Sequence, residues 1–134
     1  MAGLWYPEHA KDCMKSCLIV DDSKVIRMVA WKILQELSFE TEEAVDGKDA
    51  LEACKRKMPE AVLLDWNMPV MDGLEFLRAL RKLPGGTAPR VLFCTTENDM
   101  AHIQQAIEAG ADEYIMKPFD SEIIQAKFSQ VELL

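Results

Sequence analysis

Ala61-Val62-Leu63-Leu64-Asp65 is an unbroken apolar run closed by a carboxylate, and its sequel, Trp66-Asn67-Met68-Pro69, reads as a loop exit. Consecutive apolar residues without polar alternation suit a strand buried on both faces, as in a parallel sheet. The pattern repeats on either side. Cys17-Leu18-Ile19-Val20 runs into Asp21-Asp22, and Arg90 to Thr95 runs into Thr96 and Glu97. Phe39 to Ala44 and Glu113 to Met116 complete the strand candidates.

Stretches of helical period separate these runs. Ile26, Val29, Ile33 and Leu37 recur at steps of three and four and mark one apolar face. Leu51, Cys54 and Met58 do the same in a second helix, and Ile124, Phe128 and Val131 in the last. A third helix is predicted over 74–83, ended by Pro84-Gly85-Gly86, and a fourth over 100–109, stopped by Gly110 in the left-handed conformation. Asp46-Gly47, Asp72-Gly73 and Asp120-Ser121 mark turns or helix caps. Alternating strands and helices with short connections predict a doubly wound α/β fold, a three-layer sandwich around a five-stranded parallel sheet with five helices.

The 134 residues match the usual size of one domain, and 49% hydrophobic with 28% charged residues is a globular balance. Lys and Arg number 15 against 23 Asp and Glu, a net charge of −8 that repels phosphate backbones and anionic lipid. Nucleic-acid binding is therefore not expected. No apolar run approaches the ~20 residues of a membrane helix. Met1 to Met14, with Glu8, His9, Lys11 and Asp12, has no secretory apolar stretch, so the expected compartment is the cytoplasm. Cys13, Cys17, Cys54 and Cys94 are too sparse for a disulfide scaffold. His9, Cys13 and Cys17 would share a helical face, but a metal site there lacks a fourth ligand; incidental thiols are the simpler reading.

Ligands of an open parallel sheet sit beyond the carboxyl ends of its strands. Asp21-Asp22 follow the first strand, Asp65 the third, Thr95-Thr96-Glu97 the fourth and Lys117-Pro118 the fifth. Clustered carboxylates repel one another unless a cation relieves them. Oxygen donors, with no Cys or His placed for a softer metal, point to Mg²⁺. Such a metal and Lys117 would neutralise an incoming phosphoryl group while Asp65 attacks phosphorus, since Asp21 and Asp22 serve as ligands. Each feature alone has a plain explanation: an N-cap, a loop exit, a solvated lysine, a packed threonine pair. Their joint arrival at separate strand ends does not.

Leu18-Ile19-Val20-Asp21-Asp22, Leu64 through Gly73, Thr95-Thr96-Glu97 and Lys117-Pro118-Phe119 resemble the signature set of bacterial response-regulator receiver domains, over roughly residues 16–132. Asp65-Trp66-Asn67-Met68-Pro69 is similar to the CheY-like single-domain regulators. The stretches 94–98 and 128–132 resemble their alphaproteobacterial chemotaxis type. The resemblance implies a flavodoxin-like fold with strand order 2-1-3-4-5 and a receiver unit over 16–134, preceded by an extension, 1–15, that is disordered or an artefact of the start site. Leu4-Trp5-Tyr6 could instead dock there as an apolar plug.

By the same resemblance, Asp65 is the aspartate phosphorylated by a sensor histidine kinase. Asp22 is a direct metal ligand and Asp21 the water-mediated or acid-pocket partner, and Asn67 lends its backbone carbonyl to Mg²⁺, for which Mn²⁺ can substitute. Thr95 is the switch hydroxyl that reaches the acyl phosphate, and the bond from Lys117 to Pro118 is cis. Tyr114 is an aromatic that turns between exposed and buried, while Asn67 and Glu97 tune the lifetime of the phosphoryl group. The implied protein is a phospho-acceptor regulator rather than an enzyme, catalysing only its own phosphorylation and dephosphorylation. It is expected to act as a monomer through its fourth helix, fifth strand and fifth helix on a target such as a flagellar switch component.

Two alternatives stand beside this reading. One is a single-domain phosphorelay or phosphate-sink regulator of stress or cell cycle. The other is an aspartyl-phosphate phosphatase, whose second aspartate two residues on is replaced here by Asn67. Trp66 is read as a shield beside the acceptor. His102, on the fourth helix, is read as facing solvent, with no role.

Overall fold

The computed structural model describes residues 15–66, 68–95 and 100–134. Strands β1 (Ser16–Val20), β2 (Glu40–Ala44), β3 (Ala61–Asp65), β4 (Arg90–Thr95) and β5 (Glu113–Met116) are all parallel and lie in the order β2-β1-β3-β4-β5. Helices α1 (Lys24–Glu36), α2 (Gly47–Arg56), α3 (Gly73–Lys82), α4 (Met100–Glu108) and α5 (Ser121–Gln130) alternate with them. This is the flavodoxin-like sandwich in the strand order that the resemblance implies.

Strand periodicity divides the core into two layers. Leu18, Val20, Val62, Leu64, Val91 and Phe93 face α2, α3 and α4, while Cys17, Ile19, Leu63, Leu92, Cys94 and Ile115 face α1 and α5. Burial on both faces explains why β1, β3 and β4 read as continuous apolar runs. Side-chain caps fix the helix starts: Ser23, Asp46, Asp72 and Asp120 accept from the N–H groups of Ile26, Asp49, Glu75 and Ile123. Each such cap is worth about 1 kcal/mol, and the Glu75 side chain closes a reciprocal box on Asp72.

The structure shifts some expectations. β2 starts at Glu40, because Phe39 turns under the sheet to meet the Phe128 ring edge-on at 5.3 Å. The strand left behind is the sheet's edge, with Glu40, Glu42 and Glu43 in solvent. On α1 the buried residues are Ala30, Ile33 and Leu34, and Val29 is 41% exposed. Met58 lies beyond the end of α2, and Val131 is the C-cap of α5. Gly110 has φ +113°, as its place after α4 demands.

Cys17, Cys54 and Cys94 are buried free thiols. Burial pushes Cys54 up to about 11 and Cys94 up to about 12, so they remain protonated packing groups. The readings placed on His9, Cys13 and Leu4-Trp5-Tyr6 lie outside the described residues, as do Asn67 and Glu97.

Candidate functional site

The register sets Val20 opposite Leu64, Asp65 opposite Cys94 and Thr95 opposite Met116, so the carboxyl ends of these strands share one rim. Asp21, just past β1, is only 3% exposed. Its Oδ1 accepts from the Ser23 N–H at 2.9 Å and its Oδ2 from Lys117 Nζ at 2.7 Å. The same ammonium donates to Asp65 Oδ1 at 3.0 Å. Asp22 is exposed at the mouth, and carboxylate oxygens of Asp21, Asp22 and Asp65 all lie within 4.8 Å of one another.

The backbone holds the end of β3 tightly. Gly73 N–H donates to the Trp66 carbonyl at 2.9 Å. A methyl group on Gly73 would overlap the Asp65 carbonyl oxygen, so only glycine lets α3 start this close to β3.

Burial pushes the Asp65 carboxyl above its ordinary value and the Asp21 charge adds to it, against the Lys117 ammonium and a hydrogen bond from the Trp66 N–H. Burial alone would lower Lys117, but hydrogen bonds to Asp21 and Asp65, with the charges of both, raise it. Lys117 therefore stays cationic, and its single charge faces more than one carboxylate. That surplus suits a hard divalent cation. With Mg–O distances near 2.1 Å, opposite ligands stand about 4.2 Å apart, and oxygens already within 4.8 Å of one another need only a small inward movement to share one ion. Both Asp21 oxygens are already engaged, which leaves Asp22 and Asp65 better placed for direct contact.

Thr95 closes β4 and is buried, and its carbonyl accepts from the Lys117 N–H at 2.7 Å. The Lys117–Pro118 bond is cis. Tyr114 on β5 is half-buried with the Lys127 ammonium 4.3 Å from its ring centroid, and Lys127 also pairs with Glu113 at 3.4 Å. The structure thus brings together Asp21, Asp22, Asp65 and Lys117, with Thr95 at the end of the neighbouring strand. His102 departs from expectation. It is half-buried, and its imidazole stacks on the Trp66 indole at 4.4 Å and 18°. Nothing in helical periodicity signals that contact, because it joins a loop to a helix distant in sequence.

The profile of the response regulator receiver domain family matches residues 17–129. The chain belongs to this family. Among relatives, the receiver domain is 33% identical over 117 residues to chemotaxis protein CheY of Halobacterium salinarum, covering 87% of this chain and 96% of that protein. It is 36% identical over 115 residues to chemotaxis protein CheY-3 of Vibrio cholerae, covering 85% and 88%. The solved structure of Vibrio cholerae CheY4 superposes with a TM-score of 0.84 at 34% identity, covering 89% of this chain and 99% of that one. It is a CheY-like receiver domain of two-component signalling.

Proposed function

We propose that this receiver domain takes a phosphoryl group from the phosphohistidine of a sensor kinase onto Asp65. The observation that carries the proposal is the convergence of the Asp21, Asp22 and Asp65 oxygens within 4.8 Å, with Lys117 Nζ 3.0 Å from Asp65 Oδ1. An Asp65 carboxylate oxygen attacks phosphorus, the P–N bond breaks, and the imidazole leaves with the electron pair. Lys117 balances charge on the transferring oxygens from one side. Asp22, with Asp65 and the Asn67 carbonyl, would hold Mg²⁺ or Mn²⁺, and Asp21 would orient its water shell. The metal supplies neutralisation of the phosphoryl oxygens. Asn67 and Glu97 would tune the lifetime of the acyl phosphate.

Thr95 is the switch hydroxyl: a charge-assisted hydrogen bond to the new phosphoryl oxygens is worth roughly 1.5–3 kcal/mol. Its movement frees room for Tyr114, and the α4-β5-α5 face then meets a partner protein. The named relatives are chemotaxis proteins, which supports a chemotaxis role; the target we assign to it is a flagellar-switch type of component. Residues 16–134 form the receiver unit and 1–15 an appendage; the working form is a cytoplasmic monomer. No helix among the described residues is long and apolar enough to cross a membrane.

The test is incubation of the protein with acetyl phosphate and Mg²⁺, read by intact mass. The parent gains one phosphoryl group, and Asp65→Asn or chelation of the metal abolishes the gain. An Asp65→Asn variant that gains the same mass refutes the assignment. Thr95→Ala keeps the mass gain and loses most of the response on the α4-β5-α5 face.

A further inference from the structure

Trp66 is covalently next to the acceptor, and its ring is locked among parts of the molecule that must communicate. Its carbonyl accepts from the Gly73 N–H at 2.9 Å, which ties it to the start of α3. The indole meets Phe93 of β4 edge-on at 5.0 Å and 64°, two residues before Thr95. Its face lies against His102, in the first turn of α4. That helix is lightly anchored, placing only Ile103 and Ala106 in the core, where α3 places Phe76, Leu77 and Leu80. A ring stacked on its first turn is therefore a substantial share of what positions it.

We propose that His102 is a positioning residue that couples the acceptor to α4 through the Trp66 indole, as a route separate from the Thr95 hydroxyl. The inference rests on Asp65 being the acceptor. Phosphorylation adds bulk, charge and new oxygen acceptors to the side chain of the residue covalently next to Trp66. The Trp66 backbone then shifts, its ring moves with it, and His102 transmits the displacement to α4. Phe93 supplies a fixed wall against which the indole pivots. The imidazole serves by shape and stacking, so a phenyl ring at the same position performs the same task.

The full-length protein is treated with acetyl phosphate and Mg²⁺. Phosphorylation is followed by intact mass, and amide hydrogen exchange is followed over 100–108. In the parent, phosphorylation changes exchange in this segment. His102→Ala, at a half-exposed position, folds and phosphorylates as the parent does, but its phosphorylation-dependent change in exchange falls about two- to tenfold, the span expected for loss of one aromatic pair. His102→Phe restores it. A merely structural His102 would alter exchange equally with and without phosphorylation. The inference is overturned if His102→Ala keeps the parent response, if His102→Phe fails to restore it, or if the phosphorylated parent shows no change in 100–108. No mass gain in the parent sinks the acceptor reading itself, and this inference with it.

Discussion

Asp65→Asn should make the metal-free protein more stable at neutral pH, although it removes a member of an ion pair. At 3.0 Å and an effective dielectric of about 20, Lys117 attracts the Asp65 carboxylate by about 5 kcal/mol. Asp21, buried and within 4.8 Å, repels it by about 3 kcal/mol on the same scale. Asp22 is exposed and screened, and adds about 1 kcal/mol of repulsion. Attraction and repulsion nearly cancel, so the cost of drying the carboxylate, several kcal/mol for a buried ion, is left largely uncompensated. This is why the Asp65 pKa is raised even though an ammonium touches it. An asparagine keeps an oxygen for Lys117 and removes the charge, and a gain of about 1–2 kcal/mol is expected after imperfect packing of the amide.

The pH dependence follows from the direction of the shift. A carboxyl with a higher pKa in the fold than in the unfolded chain binds its proton more tightly when folded. Its contribution is whole below the ordinary value of 3.8 and drains away as pH climbs through the interval up to the raised value. Parent and Asp65→Asn should therefore have similar melting temperatures near pH 3. At pH 7 in EDTA the variant should melt about 3–8 °C higher. Millimolar Mg²⁺ should close the gap by raising only the parent, by about 1.4 kcal/mol at ten times the dissociation constant. Calorimetry with and without Mg²⁺ measures each quantity. An Asp65→Asn protein that melts below the parent in EDTA at pH 7, or a gap unchanged between pH 3 and pH 7, refutes the reasoning.

Gly73→Ala drives a methyl group into the Asp65 carbonyl oxygen; it should cost about 2–4 kcal/mol and slow phosphorylation by acetyl phosphate, measured by urea unfolding and intact mass. Val70 is 77% exposed at φ +68°, in a tight turn where Met71 N–H donates to the Pro69 carbonyl. A β-branched residue is strained there, and Val70→Asn should stabilise the fold by about 0.5–1 kcal/mol in the same assay. Arg81 forks to the carbonyls of Gly86, Pro89 and Gly110 and to Asp112, tying α3 to the segments entering β4 and β5. Arg81→Lys cannot reproduce the fork and should cost about 2–3 kcal/mol of unfolding free energy.

The site is legible in the sequence because a parallel sheet converts strand ends into neighbours. Once Leu18 to Val20 and Ala61 to Leu64 are read as buried strands, Asp21, Asp22 and Asp65 must meet at one rim, and Lys117 joins them from β5 whatever the details of packing. The charge balance is less legible. Asp21 is almost dry while Asp22 stands in water, and a pair of adjacent identical letters cannot announce that difference.

The departures share a cause: each depends on how closely an element approaches the sheet. On α1, counting apolar residues favours a stripe through Val29, whereas the helix turns Ala30 inward. A small side chain at the contact lets the helix axis come nearer and lets Ile33 and Leu34 reach the strands, a gain that apolar periodicity does not weigh. Phe39 leaves the edge strand for a similar reason, since burying its ring beneath the sheet against Phe128 gains more than extending β2 by one residue. His102 is the sharpest case. Its helix face is set by Ile103 and Ala106 beneath it, and only the placement of α4 beside the β3–α3 loop brings its imidazole onto Trp66. The rim of carboxylates and lysine is therefore written in local motifs, whereas the contact between the β3–α3 loop and α4 is written in packing. On the coupling proposed above, a receiver domain that keeps the same rim of carboxylates and lysine would transmit phosphorylation differently once the residues that face each other across that loop are changed.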